Sequence, residues 1–295
     1  FAAHRETLWG AGYRLLGTAA DADELVQEAF VRLLESPPRD LDRPLLPWLR
    51  RVTVNLALDR LRRRKAQPYV GSWLPGPVSS ARCEELLAAE EPGPAARVER
   101  RESLSLAFLL ALEALTPTQR GVLVLRDALG LTTRETAEAL DLSEANVKTT
   151  LHRARQALEA QPARVDAPLA TAAALGALSA ALQAGDVPAL VALLAPDARA
   201  LSDSAGEFTA ARLEVVGASK VARLLVGLVR KDAGATAILP LELNGQPAFG
   251  TQLLQDRPGI APRGVLRLEL DPAGRVREVW LLVASAKLTG VPATV

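Results

Sequence analysis

The chain has 295 residues, enough for two or three modules of ordinary size, and with 49% apolar and 23% charged residues it is not a disordered polymer. No run of about 18 uncharged apolar residues occurs, which excludes a membrane-spanning helix; the Ala-rich stretch Ala167 to Gly185 comes nearest and is closed early by turn residues. A net charge of +1 offers no global attraction to nucleic acid, yet the cations are clustered. RLRRRK runs from Arg60 to Lys65, and Lys148, His152, Arg153 and Arg155 share one later helix. A single cysteine, Cys83, forms no internal disulfide and fits a reducing cytoplasm; between Arg82 and Glu84 it could alternatively sense oxidants. The chain begins at Phe1 and contains no methionine, so its N-terminus is read as incomplete.

Apolar residues at helical spacing predict a first helix over His4 to Leu16, interrupted by Gly17 and Thr18, and a second over Asp21 to Leu34. Asp21, Asp23 and Glu24 suit the positive end of that second helix. Ser36, Pro37 and Pro38 stop it, and a polar loop leads to a third helix from Leu46 to Lys65. This predicts an all-α module over residues 1–67. Eight prolines and glycines between Pro68 and Pro94 make a long helix improbable there, so residues 68–98 are expected to be a linker, with Trp73 and Leu74 as apolar anchors.

A second all-α module is expected over residues 99–162. Thr116, Pro117 and Gln119 form an N-terminal helix signature, and Thr132 with Glu135 repeats the capping pattern. From Asp166 the pattern changes to alternation: Leu266, Leu268 and Leu270 against Arg267, Glu269 and Asp271, and then Val279, Leu281 and Val283. Half-buried strands are predicted, four or five in number, with helices over residues 168–184, 187–194 and 217–231. A C-terminal α+β domain over residues 167–295 follows.

LTTRETAEALDLSEANVKTTLHRARQAL, from Leu131 to Leu158, has the form of a helix-turn-helix: a helix from Thr133 to Leu140, a turn at Asp141 and Leu142, and a second helix capped by Ser143. Val147, Leu151, Ala154 and Leu158 line its buried face. Ser143, Asn146, Lys148, Thr149, His152 and Arg153 are left to face a DNA groove and its phosphates. A plain helical hairpin with a solvated polar face accounts for the same pattern. His152 has no His, Cys or carboxylate companion that would make it a metal ligand. In the third helix, Trp48, Leu49, Val52, Leu56 and Leu61 are anchors, while Arg50, Arg51, Asn55, Asp59, Arg60, Arg62 and Arg63 populate other faces. Basic residues also suit a helix C-terminus, but five cations in six positions repel one another, and nucleic acid is the economical partner.

At the level of motif the chain resembles a known family. DADELVQEAFVRLLE, from Asp21, is similar to the polymerase-binding helix of extracytoplasmic-function sigma factors of bacterial RNA polymerase. PWLRRVTVNLALDRLRR, from Pro47, is similar to their region that opens and reads the minus-10 element. The segment from Ala114 to Leu158 resembles their domain that reads minus-35 DNA. The resemblance implies that Asp21, Asp23, Gln27, Glu28 and Arg32 face the polymerase clamp. It puts Trp48, Arg51, Asn55, Asp59, Arg60, Arg62 and Arg63 at the melting minus-10 strand, with a flipped base received near the loop from Leu41 to Pro47. Ser143, Asn146, Lys148, Thr149, His152 and Arg153 would read the minus-35 groove.

The linker YVGSWLPGPV, from Tyr69 to Val78, is similar to the YVGxWLPEP signature of sigma factors fused to a SnoaL-like, NTF2-type domain, with Gly76 in place of Glu. AALQAGDVPALVALLAPDARALSD, from Ala180, resembles the opening of such domains, and DSAGE, from Asp203 to Glu207, stands where they have DGGGK. The resemblance therefore implies two helical sigma modules and an NTF2-like cone, a regulatory role for the linker residues Tyr69, Trp73, Leu74 and Pro75, and regulation in cis by the added domain docking on linker and sigma modules. Core RNA polymerase and promoter DNA are the implied partners, with no membrane, no metal, no other cofactor and no catalytic residue. NTF2-like relatives that isomerise or cyclise ketones use a base opposite a donor, but after Asp166 there is no His, Tyr or Cys, leaving Asp197, Asp203 and Asp256 as possible bases. Two alternatives stay open: a DNA-binding regulator that never joins polymerase, and an isomerase or cyclase fused to a DNA-binding module.

Overall fold

The computed structural model describes residues 2–40, 42, 44–90, 93–161, 167–232 and 236–293. It divides into two compact units, one of residues 1–68 and 81–162, the other of residues 69–80 and 163–295. The stretch expected to be one linker is therefore split. Its first part, residues 69–80, packs with the C-terminal domain, whereas its second part forms helices of the first unit.

The first unit is all helical. Its opening helices are α1 (Ala2–Leu16), α2 (Ala19–Glu35) and α3 (Leu45–Ala66). Thr18 caps α2, its side chain accepting from the Asp21 N–H, and Gly17 makes the preceding turn at φ 81°. Leu8, Tyr13, Leu15, Leu25, Val26, Leu49, Val54 and Leu61 are buried; each large side chain removed from water contributes roughly 1.5–3 kcal/mol. Two short helices follow, α4 (Ser80–Ala89) and α5 (Pro94–Glu102); the prolines and glycine at positions 92–94 forbid one long helix, Gly93 and Pro94 opening α5. Arg14, fully buried in α1, donates to both Glu90 carboxylate oxygens at 2.7 and 3.2 Å and to Ser103 Oγ at 2.8 Å, tying these later segments to the first helix.

Helices α6 (Leu106–Ala111), α7 (Pro117–Leu123), α8 (Thr133–Leu140) and α9 (Glu144–Glu159) complete the unit. Both expected capping boxes form, at Thr116 with Gln119 and at Thr132 with Glu135. The Thr132 hydrogen bonds hold the Glu135 carboxyl below its ordinary value. Asp141 takes the left-handed conformation at φ 56° and turns the chain between α8 and α9. Val122, Ala137 and Val147 pack together with Leu140, Leu142 and Leu151 beneath that turn.

The second unit is a six-stranded sheet with three helices on one face. Helices α10 (Pro168–Ala184) and α11 (Val187–Leu193) precede β1 (Leu194–Asp203) and β2 (Val215–Val216); α12 (Ala218–Asp232) precedes β3 (Thr236–Leu243), β4 (Gln246–Leu253), β5 (Arg263–Leu270) and β6 (Val276–Leu282). The order is β2-β1-β6-β5-β4-β3, with β1 parallel to β6 and the other neighbours antiparallel. Leu175, Leu178, Leu190, Val221, Leu225, Leu268, Leu270, Val276 and Val279 form the core between helices and sheet. One expectation needs correction: β5 is buried on both faces. Arg267 and Glu269 are 4% and 3% exposed and form an ion pair at 2.5 Å, with the Arg267 guanidinium 4.9 Å from the Trp280 ring. Alternation of charge with leucine cannot distinguish a solvated face from one whose charges are paired under cover. Pro240 sits mid-way along β3, an edge strand, where a missing N–H costs no ladder bond.

Candidate nucleic-acid interface and the strapped linker

On α3, Arg51, Asn55, Asp59 and Arg62 follow one another at three- and four-residue spacing and are all exposed, as is Arg63, while Trp48 is half-buried near the helix start. They form one polar stripe. The basic run beyond it is less available than its composition suggests. Arg60 donates to Glu24 Oε2 at 3.2 Å and Glu28 Oε2 at 3.1 Å on α2, and Arg62 to Asp59 Oδ1 at 2.7 Å. Arg64 reaches Glu113 at 2.6 Å and Lys65 the Leu115 carbonyl at 2.5 Å. Four of the five cations thus have partners inside the chain, which corrects the inference that their repulsion requires an external polyanion. The neutralising Glu113 lies about fifty positions away in sequence and no local pattern could reveal it.

The second candidate surface lies on α9. Ser143 caps the helix, and Asn146, Lys148, Thr149, His152 and Arg153 are all exposed on the side opposite buried Val147 and Ala154. Arg155 does not join them: Asp127 accepts from its Nε at 3.0 Å and Nη2 at 2.8 Å, and these bonds strengthen its hold on its proton. Along α2, Gln27 and Arg32 are exposed, and Glu28 is shared between Arg32 and Arg60. Asp21 is engaged with the Thr18 cap, and Asp23 accepts from Arg5 at 2.6 Å and from the Trp9 indole at 3.0 Å. Val31 and Leu34, 48% and 85% exposed, extend the face of Gln27 at helical spacing. Sequence reasoning missed these two; the signal was that Ala22, Leu25, Val26 and Ala29 already complete the core face. The loop proposed to receive a flipped base includes Leu41 and Arg43, which lie outside the described residues.

The linker signature is strapped to the sheet domain. Asp203, at the end of β1, is fully buried and accepts from the Tyr69 hydroxyl at 2.6 Å, the Leu74 N–H at 2.7 Å and Lys287 Nζ at 2.5 Å. Lys287 Nζ also donates to the Leu74 carbonyl at 2.7 Å and lies 4.8 and 4.3 Å from the Tyr69 and Trp73 ring centres. One ammonium thus fills a cage of two aromatic faces, a carboxylate and a carbonyl. Leu74, Pro75, Gly76, Pro77 and Val78 are buried, and the strap is closed at its far end by Val78 and Asn244, which exchange hydrogen bonds at 2.9 and 3.0 Å.

Two of the departures from the linker and loop signatures, Gly76 and Glu207, have structural reasons. A Cβ on Gly76 would lie 2.6 Å from the Lys287 carbonyl oxygen, so the close approach of the Lys287 turn leaves no room for Glu. Glu207, in the place of Lys, accepts from the Ser285 N–H at 3.2 Å and so holds the start of that same turn. Ala205 stands at φ 49°, a left-handed position that the glycine of DGGGK would occupy without strain.

Comparison with known proteins agrees with this geometry. Residues 1–67 match the model of sigma-70 region 2, and residues 105–158 that of sigma-70 region 4. The ECF RNA polymerase sigma factor SigJ of Mycobacterium tuberculosis is 35% identical, the alignment covering 99% of this chain and 93% of SigJ. The chain belongs to the extracytoplasmic-function sigma factors. A probable sigma factor of the same organism, SigI, is 30% identical over 97% of the chain and 92% of its own length. The crystal structure of SigJ superposes with a TM-score of 0.73 at 32% identity, covering 98% of this chain and 97% of that one, so the sheet domain is included in the likeness. In this sigma factor the two matched regions contain α1 to α3 and α6 to α9, which carry the two exposed polar stripes.

Of the three acids considered as bases, Asp203 is consumed by the Lys287 pair, and Asp197 and Asp256 are exposed. Asp186 is an N-cap, accepting from the Ala189 N–H. Among the described residues no cluster of His, Cys, Asp and Glu could hold a metal, and no helix is long and apolar enough to cross a membrane. Cys83 is buried and its thiol is pushed up to about 12 by desolvation, which withholds the thiolate that an oxidant sensor needs.

Proposed function

We propose that this promoter-recognising sigma factor acts in the cytoplasm, is regulated in cis by its sheet domain, and performs no chemistry there. It binds core RNA polymerase through the α2 face of Gln27, Arg32, Val31 and Leu34, with Glu28 positioned by Arg32 and Arg60. The minus-10 strand meets Trp48, Arg51, Asn55, Asp59, Arg62 and Arg63 along α3, and Arg60 acts by orienting α2 against α3. The minus-35 groove receives the N-terminal part of α9, Ser143, Asn146 and Thr149 at base edges and Lys148, His152 and Arg153 at phosphates.

The observation that supports regulation in cis is the enclosure of Lys287 by Tyr69, Trp73, Leu74 and Asp203. The strap joins α3 to α4, so the sheet domain controls the tether between the two promoter-reading regions. Initiation by core polymerase with the full chain, compared with Lys287→Met and Gly76→Glu variants, tests this: changed initiation at equal core affinity is expected, and equal initiation would overturn it. A DNA-binding regulator independent of polymerase predicts tight promoter binding and no co-purification with core enzyme.

A further inference from the structure

The far end of α9 is held by a pair that no sequence spacing announces. After Leu123, α7 runs on through a single π turn, Val124–Ala128, in which the Leu129 N–H donates to the Val124 carbonyl five positions back at 2.9 Å. The Leu131 N–H donates to the Leu125 carbonyl at 2.9 Å, and Arg126 to the Leu131 carbonyl. One extra residue enters such a turn and displaces its side chains from the register that α7 would otherwise continue. Asp127, inside the turn, meets α9 and accepts from Arg155 Nε at 3.0 Å and Nη2 at 2.8 Å, a two-pronged carboxylate–guanidinium pair.

Position on α9 gives the pair its meaning. Lys148, His152 and Arg155 follow one another at four- and three-residue spacing, so Arg155 continues their exposed stripe about 10 Å along the axis from Lys148. Among the described residues Lys148, His152 and Arg153 have no side-chain partner, whereas Arg155 is bound twice by one carboxylate. Stability does not account for that attachment. The Arg155 and Asp127 side chains are 56% and 32% exposed, and ion pairs so open to water add little to folding. Buried Val147 and Ala154 already seat the helix.

What remains is the effect on charge. Affinity for duplex DNA of any sequence grows with each cation free to meet a phosphate, while sequence is read only at base edges. Bases are met by the N-terminal end of such a helix, and Arg155 lies about 18 Å from Ser143 along the axis. A free Arg155 would therefore add most to binding modes in which base contacts do not fix the helix. We infer that Asp127 is a specificity-determining residue: it withholds Arg155 from the phosphate backbone, so that sequence-independent binding stays low and base contacts decide where the protein remains. This rests on α9 as the minus-35 surface and adds to it a residue outside the set that faces DNA.

The test measures, over a series of salt concentrations, binding of the holoenzyme to a duplex bearing a promoter from which it initiates and to a shuffled duplex of equal length and composition. On the shuffled duplex Asp127→Ala should steepen the salt dependence by about one phosphate contact and tighten binding about fivefold at 0.1 M salt. The promoter complex should gain less, so the ratio between the two falls. Asp127→Asn, expected to act in the same direction, serves if the alanine variant does not fold, and Asp127→Glu, which keeps the charge, should restore the ratio. Joining Arg155→Ala to Asp127→Ala should return the shuffled duplex to the original slope. An unchanged slope in Asp127→Ala, or a steep slope persisting in the double variant, overturns the inference. Arg153→Ala separates the two readings: if it leaves the slope on the promoter unchanged, the assignment of α9 to the minus-35 groove fails instead.

Discussion

Arg120 in the first unit and Lys287 in the second are both buried cations that donate to backbone carbonyls and to one carboxylate, yet their surroundings differ. Arg120 spreads a planar fork over Leu15, Leu112 and Glu113, and burial lowers its pKa while Glu113 opposes the shift. Its carboxylate partner is one quarter exposed and serves a second arginine. Lys287 presents a point charge to Asp203, which is wholly buried, and to two aromatic faces. A pair whose anion reaches water separates at modest cost, whereas a dry pair keeps its full penalty when broken. The contrast marks the Lys287–Asp203 pair of the strap as the one whose loss costs more.

The largest effect should come from Lys287→Met, which leaves Asp203 buried and unpaired; a loss of about 3–5 kcal/mol from the second unit is expected in urea unfolding, and a loss below about 1 kcal/mol would erase the contrast. Arg120→Met should cost the first unit about 2–3 kcal/mol, because two carbonyls lose their donor while Glu113 can hydrate. Gly76→Glu, driving a side chain against the Lys287 carbonyl, should cost about 2 kcal/mol and expose Trp73 to quenchers. Ala205→Gly should stabilise the strap's loop by about 1 kcal/mol through relief of the left-handed backbone, raising the melting temperature.

The smallest effect concerns Cys83. Its folded thiol titrates near 12 against an ordinary 9.0, so its contribution is fully present below pH 9 and lost as pH rises from 9 towards 12. Iodoacetamide should therefore label the native chain far more slowly than the urea-unfolded chain at pH 8.5 to 9.

The same distinction between charge and availability separates α3 from α9. Replacing Arg153 with Ala should reduce the salt dependence of promoter binding by about one phosphate contact, and replacing Arg155, held by Asp127, should leave it nearly unchanged.

Local order was legible in the letters wherever the cause was local. Thr116 with Gln119, Thr132 with Glu135, and Ser143 announce helix starts because a cap is a bond between residues three apart, and the helix-turn-helix followed from apolar spacing. The polar stripe of α9 was legible for the same reason. Tertiary structure alone decided which cations are free, since Glu113 meets Arg64 and Arg120, and Asp127 meets Arg155, across sequence distances that no period encodes. It also divided the expected linker, because Asp203, Asn244 and Lys287 satisfy the backbone and rings of residues 69–78, and burial of an irregular segment requires such partners. The substitutions at Gly76 and Glu207 became intelligible only once the Lys287 turn was seen to press on one and hang from the other.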